Sequence, residues 1–304
     1  RSLSDLLREE LHTRETLVEV LSQRGMMPRA VMELDSAKRI LARYPEFAKS
    51  AEGLFLSASL LNKMSSASAR LAFERLANER RRRFPWQAGQ RGNGVRSELV
   101  APPQRMRIER DLAGNTEALG YLETLCKGSL AVEQTFVYKL AFARTYRDRM
   151  GLCRVLGKKD DADEAFEKSK SILNGLMMEK KDSAVLKYEL ANLYFLNAYK
   201  ADSGVDYLEQ ALLLTKEILE DFPLVPEYQT LQANLLVRSA WESIEGEDER
   251  PLAGKIDAGL ANFQQAIGIH QSLVDRFPDI PVYAVHLLQA TSQLGEYYGA
   301  VRRP

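Results

Sequence analysis

The stretch from Tyr207 to Tyr228, YLEQALLLTKEILEDFPLVPEY, aligns without gaps on the stretch from Asn262 to Tyr283, NFQQAIGIHQSLVDRFPDIPVY, at an offset of 55 residues. Gln210, Ala211, Phe222, Pro223, Pro226 and Tyr228 recur as Gln265, Ala266, Phe277, Pro278, Pro281 and Tyr283. Self-similarity at a fixed period constrains a chain more than composition does, because each unit must bury its apolar face against its neighbours. Ala211 and Ala266 leave room for a helix to approach closely, while Ile218, Leu219, Leu273 and Val274 supply an apolar stripe. The aromatic–proline pair then ends the helix, since proline lacks an amide donor and disfavours helical geometry in the residue before it. The second proline suits the first turn of a following helix. Each unit is therefore a helix, a short corner and another helix.

The rest of the chain carries the same signal. Apolar residues recur at spacings of three and four, and β-branched runs with period-two alternation are missing, so the expected class is all-α. Helices are expected near residues 2–23, 28–43, 47–64, 67–83, 104–126, 130–157, 159–179, 183–200, 204–221, 226–245, 255–276 and 281–299. The long break at 84–103 reads as a basic, Gly/Pro-rich loop between an irregular helical segment, 1–83, and clearer repeats, 104–304. Weaker copies of the unit lie upstream. Ile40 and Leu41 precede Tyr44 and Pro45 at the repeat distance, and Phe84–Pro85 stands in the place of Phe222–Pro223.

A second spacing, Tyr146, Met150, Cys153, Gly157, Ala162, Phe166 and Ser169, resembles the tetratricopeptide repeat, which has an aromatic at position 4, small residues near 8, 15, 20 and 27, and an aromatic at 24. Met150 and Cys153 depart from that pattern, replacing a small residue and an aromatic. Thr291, Leu294, Gly295 and Tyr298 match its positions 4, 7, 8 and 11. The resemblance implies antiparallel helix pairs stacked into a right-handed α-α superhelix that binds proteins or peptides without catalysis. The tandem FPxxPxY corners are similar to the repeat regions attached to some bacterial membrane-anchored serine/threonine kinases and related regulators. A start at Arg1 and a last helix whose partner would begin beyond Pro304 suit a piece of a longer protein, with any kinase domain outside this chain.

Composition excludes several classes. Basic and acidic side chains balance at 42 each, which removes the global attraction to polyanions expected of a dedicated nucleic-acid binder. No run of about 18 apolar residues or signal-peptide pattern occurs, so the expectation is a soluble region with no membrane insertion, its compartment open. Cys126 and Cys153 are too few for a disulfide scaffold or a cysteine-built zinc site.

Motifs for chemistry are scarce. Gly151 to Lys159, GLCRVLGKK, has five residues between its glycines and no Ser or Thr after the lysine, so it fits an interhelical turn rather than a phosphate loop. His12, His270 and His286 lack a second ligand at metal-binding spacing, and His270 takes the repeat position of Thr215, on the packed face. The acidic run from Glu242 to Pro251 lacks the framework of a calcium loop. Tyr188, Tyr194, Tyr228, Tyr283, Tyr297 and Tyr298 read as packing residues with wet hydroxyls. No catalytic residue, metal ligand or cofactor site is expected.

What remains is a surface lined by the first helix of each pair. Its candidate partner-binding residues are Lys187, Tyr188, Asn192, Asn197, Gln232, Asn234 and Arg238, with Asn192 and Asn234 favoured because an amide offers both donor and acceptor to a peptide backbone. The alternative is an anion site for nucleic acid or a phosphorylated partner within the basic region Arg80 to Arg110, using Arg80, Arg83, Arg91 and Arg96. Arg80 and Arg81 replace the apolar pair that other copies place before the corner. Four consecutive arginines spread around most of a helix, and only Arg80 and Arg83 share a face.

Overall fold

The computed structural model describes residues 2–23, 26–63, 65, 102–128, 132–198, 204–244 and 253–301. Every regular element among them is an α-helix: α1 (Leu3–Gln23), α2 (Met27–Arg43), α3 (Pro45–Lys49), α4 (51–63), α5 (Pro102–Lys127), α6 (Val132–Val155), α7 (Lys159–Glu179), α8 (Ala184–Asn197), α9 (Gly204–Asp221), α10 (Pro226–Glu242), α11 (Ala253–Arg276) and α12 (Pro281–Val301). Two compact units result, the described residues up to Lys181 forming one and those from Asp182 onward the other.

The all-α expectation holds, with two corrections to element bounds. The helix expected over 47–64 is broken at Ser50, whose hydroxyl donates to the Phe47 carbonyl at 2.6 Å and accepts the Gly53 amide at 3.1 Å. That side chain ends α3 and caps α4, the usual use of serine at a helix start. Residues 102 and 103, expected within the loop, are helical, since α5 begins at Pro102. The expected helix at 67–83 and the rest of the basic segment lie outside the described residues.

Pair contacts give the helix directions. In the first unit Arg8 meets Glu52, Ser59 meets Glu15 and Lys63 meets Glu19, each pair 44 residues apart, and a constant difference requires α1 and α4 to run parallel. Phe55 against Tyr138 and Asn62 against Thr145 are both 83 apart, so α4 and α6 are parallel too. By contrast, α6 and α7 are antiparallel: Lys139 reaches Glu179 at one end of the pair, and Ser169 donates to the Ala143 carbonyl nearer the middle. Helices α1, α4 and α6 thus run parallel, and α7 runs antiparallel to α6. Leu11, Val18, Ala30, Leu34, Leu56 and Leu60 fill the core of α1, α2 and α4. Ala58, Leu61, Ala118, Leu122 and Leu125 continue it between α4 and α5.

The turn between α6 and α7 is set by Gly157, which sits at φ 73°, while the Lys158 amide reaches back to the Cys153 carbonyl at 2.8 Å. This is a helix stop built on left-handed geometry, and it confirms the interhelical-turn reading of GLCRVLGKK. Met150, Cys153, Ala162, Phe166 and Ser169 of the same segment are buried. We expect Gly157→Ala to lower stability by about 1–2 kcal/mol, the cost of a Cβ in left-handed backbone, read as a urea-midpoint shift with helical circular dichroism unchanged at zero urea.

In the second unit the repeated sequence gives a repeated corner. The Phe222 and Phe277 amides bond to the Ile218 and Leu273 carbonyls, both at 2.9 Å, and the Val225 and Ile280 amides return to the Phe222 and Phe277 carbonyls. Pro226 and Pro281 then begin α10 and α12. The two corners are tied together by Gln229, which donates to the Pro223 carbonyl at 2.7 Å and accepts from Arg276. Contacts run from Gln229–Arg276 at one end to Trp241–Phe263 at the other, so α10 and α11 are antiparallel. Trp241–Gln293 and Ser243–Tyr297 make α10 and α12 parallel. Leu208, Ala211, Thr215 and Ile218 of α9, and Phe263, Ala266, His270 and Leu273 of α11, are all buried, one stripe seen twice.

Candidate partner-binding surface

The expected groove residues separate into three groups once the helices are placed. Lys187 is turned toward α9, where its ammonium lies 2.8 Å from Glu217. The hydrogen bond to that carboxylate holds the lysine above its ordinary pKa. Asn197 is 2% exposed and offers no surface. Arg238 bonds to Glu242 one turn along its own helix. These three side chains are committed to the fold.

Tyr188 and Asn192 form the second group. They sit four residues apart on the half-open face of α8, beside the exposed Val185. The Asn192 amide donates to the Tyr188 carbonyl at 3.2 Å. The Tyr188 ring packs against Tyr228 of α10 with centroids 5.1 Å apart, and Tyr228 in turn meets Phe222 edge-on at 6.4 Å. Tyr228 and Gln232 repeat the Tyr188–Asn192 spacing on α10, and the two rings bring the first members of the two pairs together. Burial raises the Tyr228 pKa, so its hydroxyl remains a neutral donor throughout the physiological range.

Asn234 forms the third. It lies two positions beyond Gln232, about 200° around the α10 axis, and so belongs to a different face. It shares that face with Arg238 and Trp241, whose indole nitrogen donates to Gln293 of α12 at 3.3 Å. Asn192 and Asn234 therefore do not line one surface. Of the anion candidates, Arg80, Arg83, Arg91 and Arg96 lie outside the described residues. At the described end of that basic region, Arg105 pairs with Glu109 at 3.1 Å and Arg110 lies 3.8 Å from Asp111.

Three further features emerge once the helices are placed; His270 is on the packed face as its repeat position predicts. His270 and His286, 16 residues apart in the chain, are brought together across α11 and α12 with ring centroids 5.5 Å apart. His270 is 1% exposed, and burial, assisted by His286, pushes its pKa down to about 4. Tyr297, expected to keep a wet hydroxyl, is instead fully buried; its oxygen lies 3.1 Å from that of Ser243. Tyr298, the adjacent ring, is the exposed one, at 39%. In the first unit an open depression of about 400 Å³ is lined by Arg8, Glu9, His12, Glu52, Phe55 and Leu56. Arg8 there already pairs with Glu52, and the His12 ring lies 3.2 Å from Glu15.

Cys126 and Cys153 are free thiols, and burial raises the pKa of both. Among the described residues no group of three or more His, Cys, Asp and Glu side chains could hold a metal ion. No described helix is long and apolar enough to cross a membrane. No protein-family model matches the chain, and no curated protein matches it.

Proposed function

We propose that this chain is a non-catalytic, peptide-binding scaffold, a tetratricopeptide-like stack of helix pairs in a right-handed superhelix that serves as the sensory or scaffolding region of a larger bacterial regulator. The binding surface is the shared face of α8 and α10. The observation that carries this reading is the Tyr188–Tyr228 contact between α8 and α10, each ring followed four residues on by an amide side chain, Asn192 and Gln232. Half-buried tyrosine rings give a peptide rigid apolar contact area with a polar tip, and the neighbouring amides satisfy backbone donors and acceptors. Alternation of parallel and antiparallel helix contacts in each unit supports the repeat architecture, since such a stack exposes the first helices of successive pairs as a continuous surface. A kinase partner or parent belongs to this proposal through the FPxxPxY corners alone.

The test is a peptide selected from a random display library on the immobilised chain, then titrated against substituted proteins. Tyr188→Ala and Asn192→Ala are each expected to weaken its binding by about tenfold or more, the loss typical of an interface anchor. Lys187→Ala is expected to leave affinity within about twofold, because that side chain serves the α8–α9 contact. Unchanged affinity in both of the first two variants would remove the α8–α10 face from consideration.

A further inference from the structure

We propose that the α8–α10 face selects an arginine side chain, whose guanidinium is held against the ring group of Tyr188, Phe222 and Tyr228 with its N–H edge on the Asp221 and Glu227 carboxylates. This rests on the peptide-binding reading of that face and names the chemistry of the peptide it takes.

The repeat itself supplies the precedent. The residue before the corner phenylalanine is Asp221 in the first copy, and its counterpart 55 positions later is Arg276. In the α11–α12 corner the Arg276 guanidinium lies over the Phe277 ring at 5.4 Å, donates to the Ser272 carbonyl at 3.3 Å and bonds to Gln229 of α10. Tyr283 packs on the same phenylalanine, with centroids 5.7 Å apart. That corner therefore covers its aromatic pair with a cation of its own, and Phe277 is half-buried. The α9–α10 corner keeps the aromatic pair, Phe222 and Tyr228, and adds a third ring, Tyr188 of α8. Among the described residues no cation lies over any of these three rings, and Phe222 is 46% exposed.

Charge points to the same ligand. The face of an aromatic ring is electron-rich and attracts a cation lying within about 6 Å of its centroid. A carboxylate at residue 221, where the other copy has an arginine, turns the corner from one that repels an incoming cation into one that attracts it. Asp221 and Glu227 are both exposed, one next to Phe222 and the other next to Tyr228. Burial raises the Tyr228 pKa, and Tyr188 and the Glu227 carboxylate raise it further, which places Glu227 close to the ring group. Lys187 of α8 also feels Asp221, but its ammonium is held by Glu217 at 2.8 Å. Of the two basic side chains that a peptide offers, arginine fits both halves of the site. Its planar guanidinium stacks on a ring and still presents N–H donors at its edge for carboxylates, whereas the lysine ammonium is a compact, strongly hydrated charge.

The experiment titrates N-acetyl-arginine amide into the full chain, followed by saturation-transfer difference NMR, with the citrulline analogue as an uncharged probe of the same shape. We expect saturable binding of the arginine compound in the millimolar range and binding of the citrulline compound at least about tenfold weaker. Asp221→Arg gives this corner the residue that the other copy already carries, at an exposed position, and should weaken arginine binding by about tenfold or more while the urea midpoint is retained. Glu227→Gln should weaken it by about threefold, as loss of one charged partner at a partly exposed site. Absence of saturable binding, equal binding of the two compounds, or binding that Asp221→Arg leaves within about twofold would overturn the proposal. The library-selected peptide separates this from the peptide-binding reading. A peptide that loses affinity in Tyr188→Ala and Asn192→Ala but keeps it when its arginines are replaced by citrulline would uphold that reading and overturn this one. Arginine-amide binding lost in Asp221→Arg, with no peptide captured, would do the reverse.

Discussion

Gly259→Ala is expected to destabilise the second unit by about 2–3 kcal/mol, at the upper end of the range for forcing one extra carbon into a packed site. A Cβ at residue 259 would lie 2.2 Å from the Tyr297 hydroxyl oxygen, 2.7 Å from the Ser243 hydroxyl and 2.8 Å from the tyrosine Cζ. The tyrosine has nowhere to retreat. Its ring is fully buried between Trp241, 5.6 Å away at 74°, and Phe263, 5.2 Å away at 62°, two edge-to-face contacts that fix its plane. Its hydroxyl is fixed as well. Ser243 donates its proton to the Ala240 carbonyl at 2.7 Å, so the 3.1 Å contact between the hydroxyls has Tyr297 as donor, with the Ile256 carbonyl a longer acceptor at 3.4 Å.

The coupling can be isolated. Tyr297→Phe alone should cost about 1 kcal/mol, the net worth of one hydrogen bond in a buried site. Combined with Gly259→Ala, it removes the atom that the new Cβ strikes first and leaves the Ser243 hydroxyl at 2.7 Å and the ring Cζ at 2.8 Å. The double variant should therefore be at least about 1 kcal/mol more stable than the sum of the single effects predicts. Urea unfolding followed by Trp241 fluorescence measures this, in a Trp86→Phe background so that Trp241, in the core itself, is the one indole reporting. Strict additivity would mean that Gly259 is tolerant for a reason other than the tyrosine.

Much of the fold is legible in the sequence because helix formation here follows from local signals. The 3.6-residue periodicity locates α7 and α9 to the residue, and the FP corner followed by a second proline locates the starts of α10 and α12. The break at Ser50 is harder to read, since Ser50 interrupts an otherwise helical pattern and acts through bonds to Phe47 and Gly53. The candidate surface is less legible for a different reason. A helical pattern assigns Lys187 and Tyr188 to neighbouring positions, but not which of them meets Glu217 and which meets Tyr228, because that depends on where α9 and α10 cross α8. The same holds for the adjacent Tyr297 and Tyr298, one wholly buried and the other exposed. The meeting of His270 with His286 joins two helices whose relative rotation no spacing rule supplies. Periodicity gives the buried face of each helix; the partner on that face is a tertiary fact.

His270 makes the second unit acid-sensitive. In the unfolded chain its imidazole takes a proton near the ordinary histidine value of 6.5, whereas in the folded protein burial and the nearby His286 hold it neutral down to about 4. The unfolded state therefore binds the extra proton in the interval between those two values. The contribution of this group to stability is complete above pH 6.5, falls as the pH drops from 6.5 to 4, and levels off below. Over that interval the loss is about 3 kcal/mol, of which about 2 kcal/mol falls between pH 7 and 5, before most carboxylates titrate. The repeat itself supplies the control. At the equivalent position, α9 has Thr215, also buried, whose hydroxyl bonds to the Ala211 carbonyl at 2.6 Å, and α11 has Ala266 in the place of Ala211. His270→Thr gives α11 the same local bond to make and no titratable ring. Urea midpoints at pH 7 and pH 5, followed by Trp241 fluorescence, should show a clear drop for the parent protein and a much smaller one for His270→Thr, whatever the variant's stability at pH 7. Equal drops in the two proteins would place the acid-sensitive group elsewhere in the unit. The repeat position that α9 fills with a hydroxyl thus makes the α11–α12 pair the part of the unit expected to loosen first on acidification.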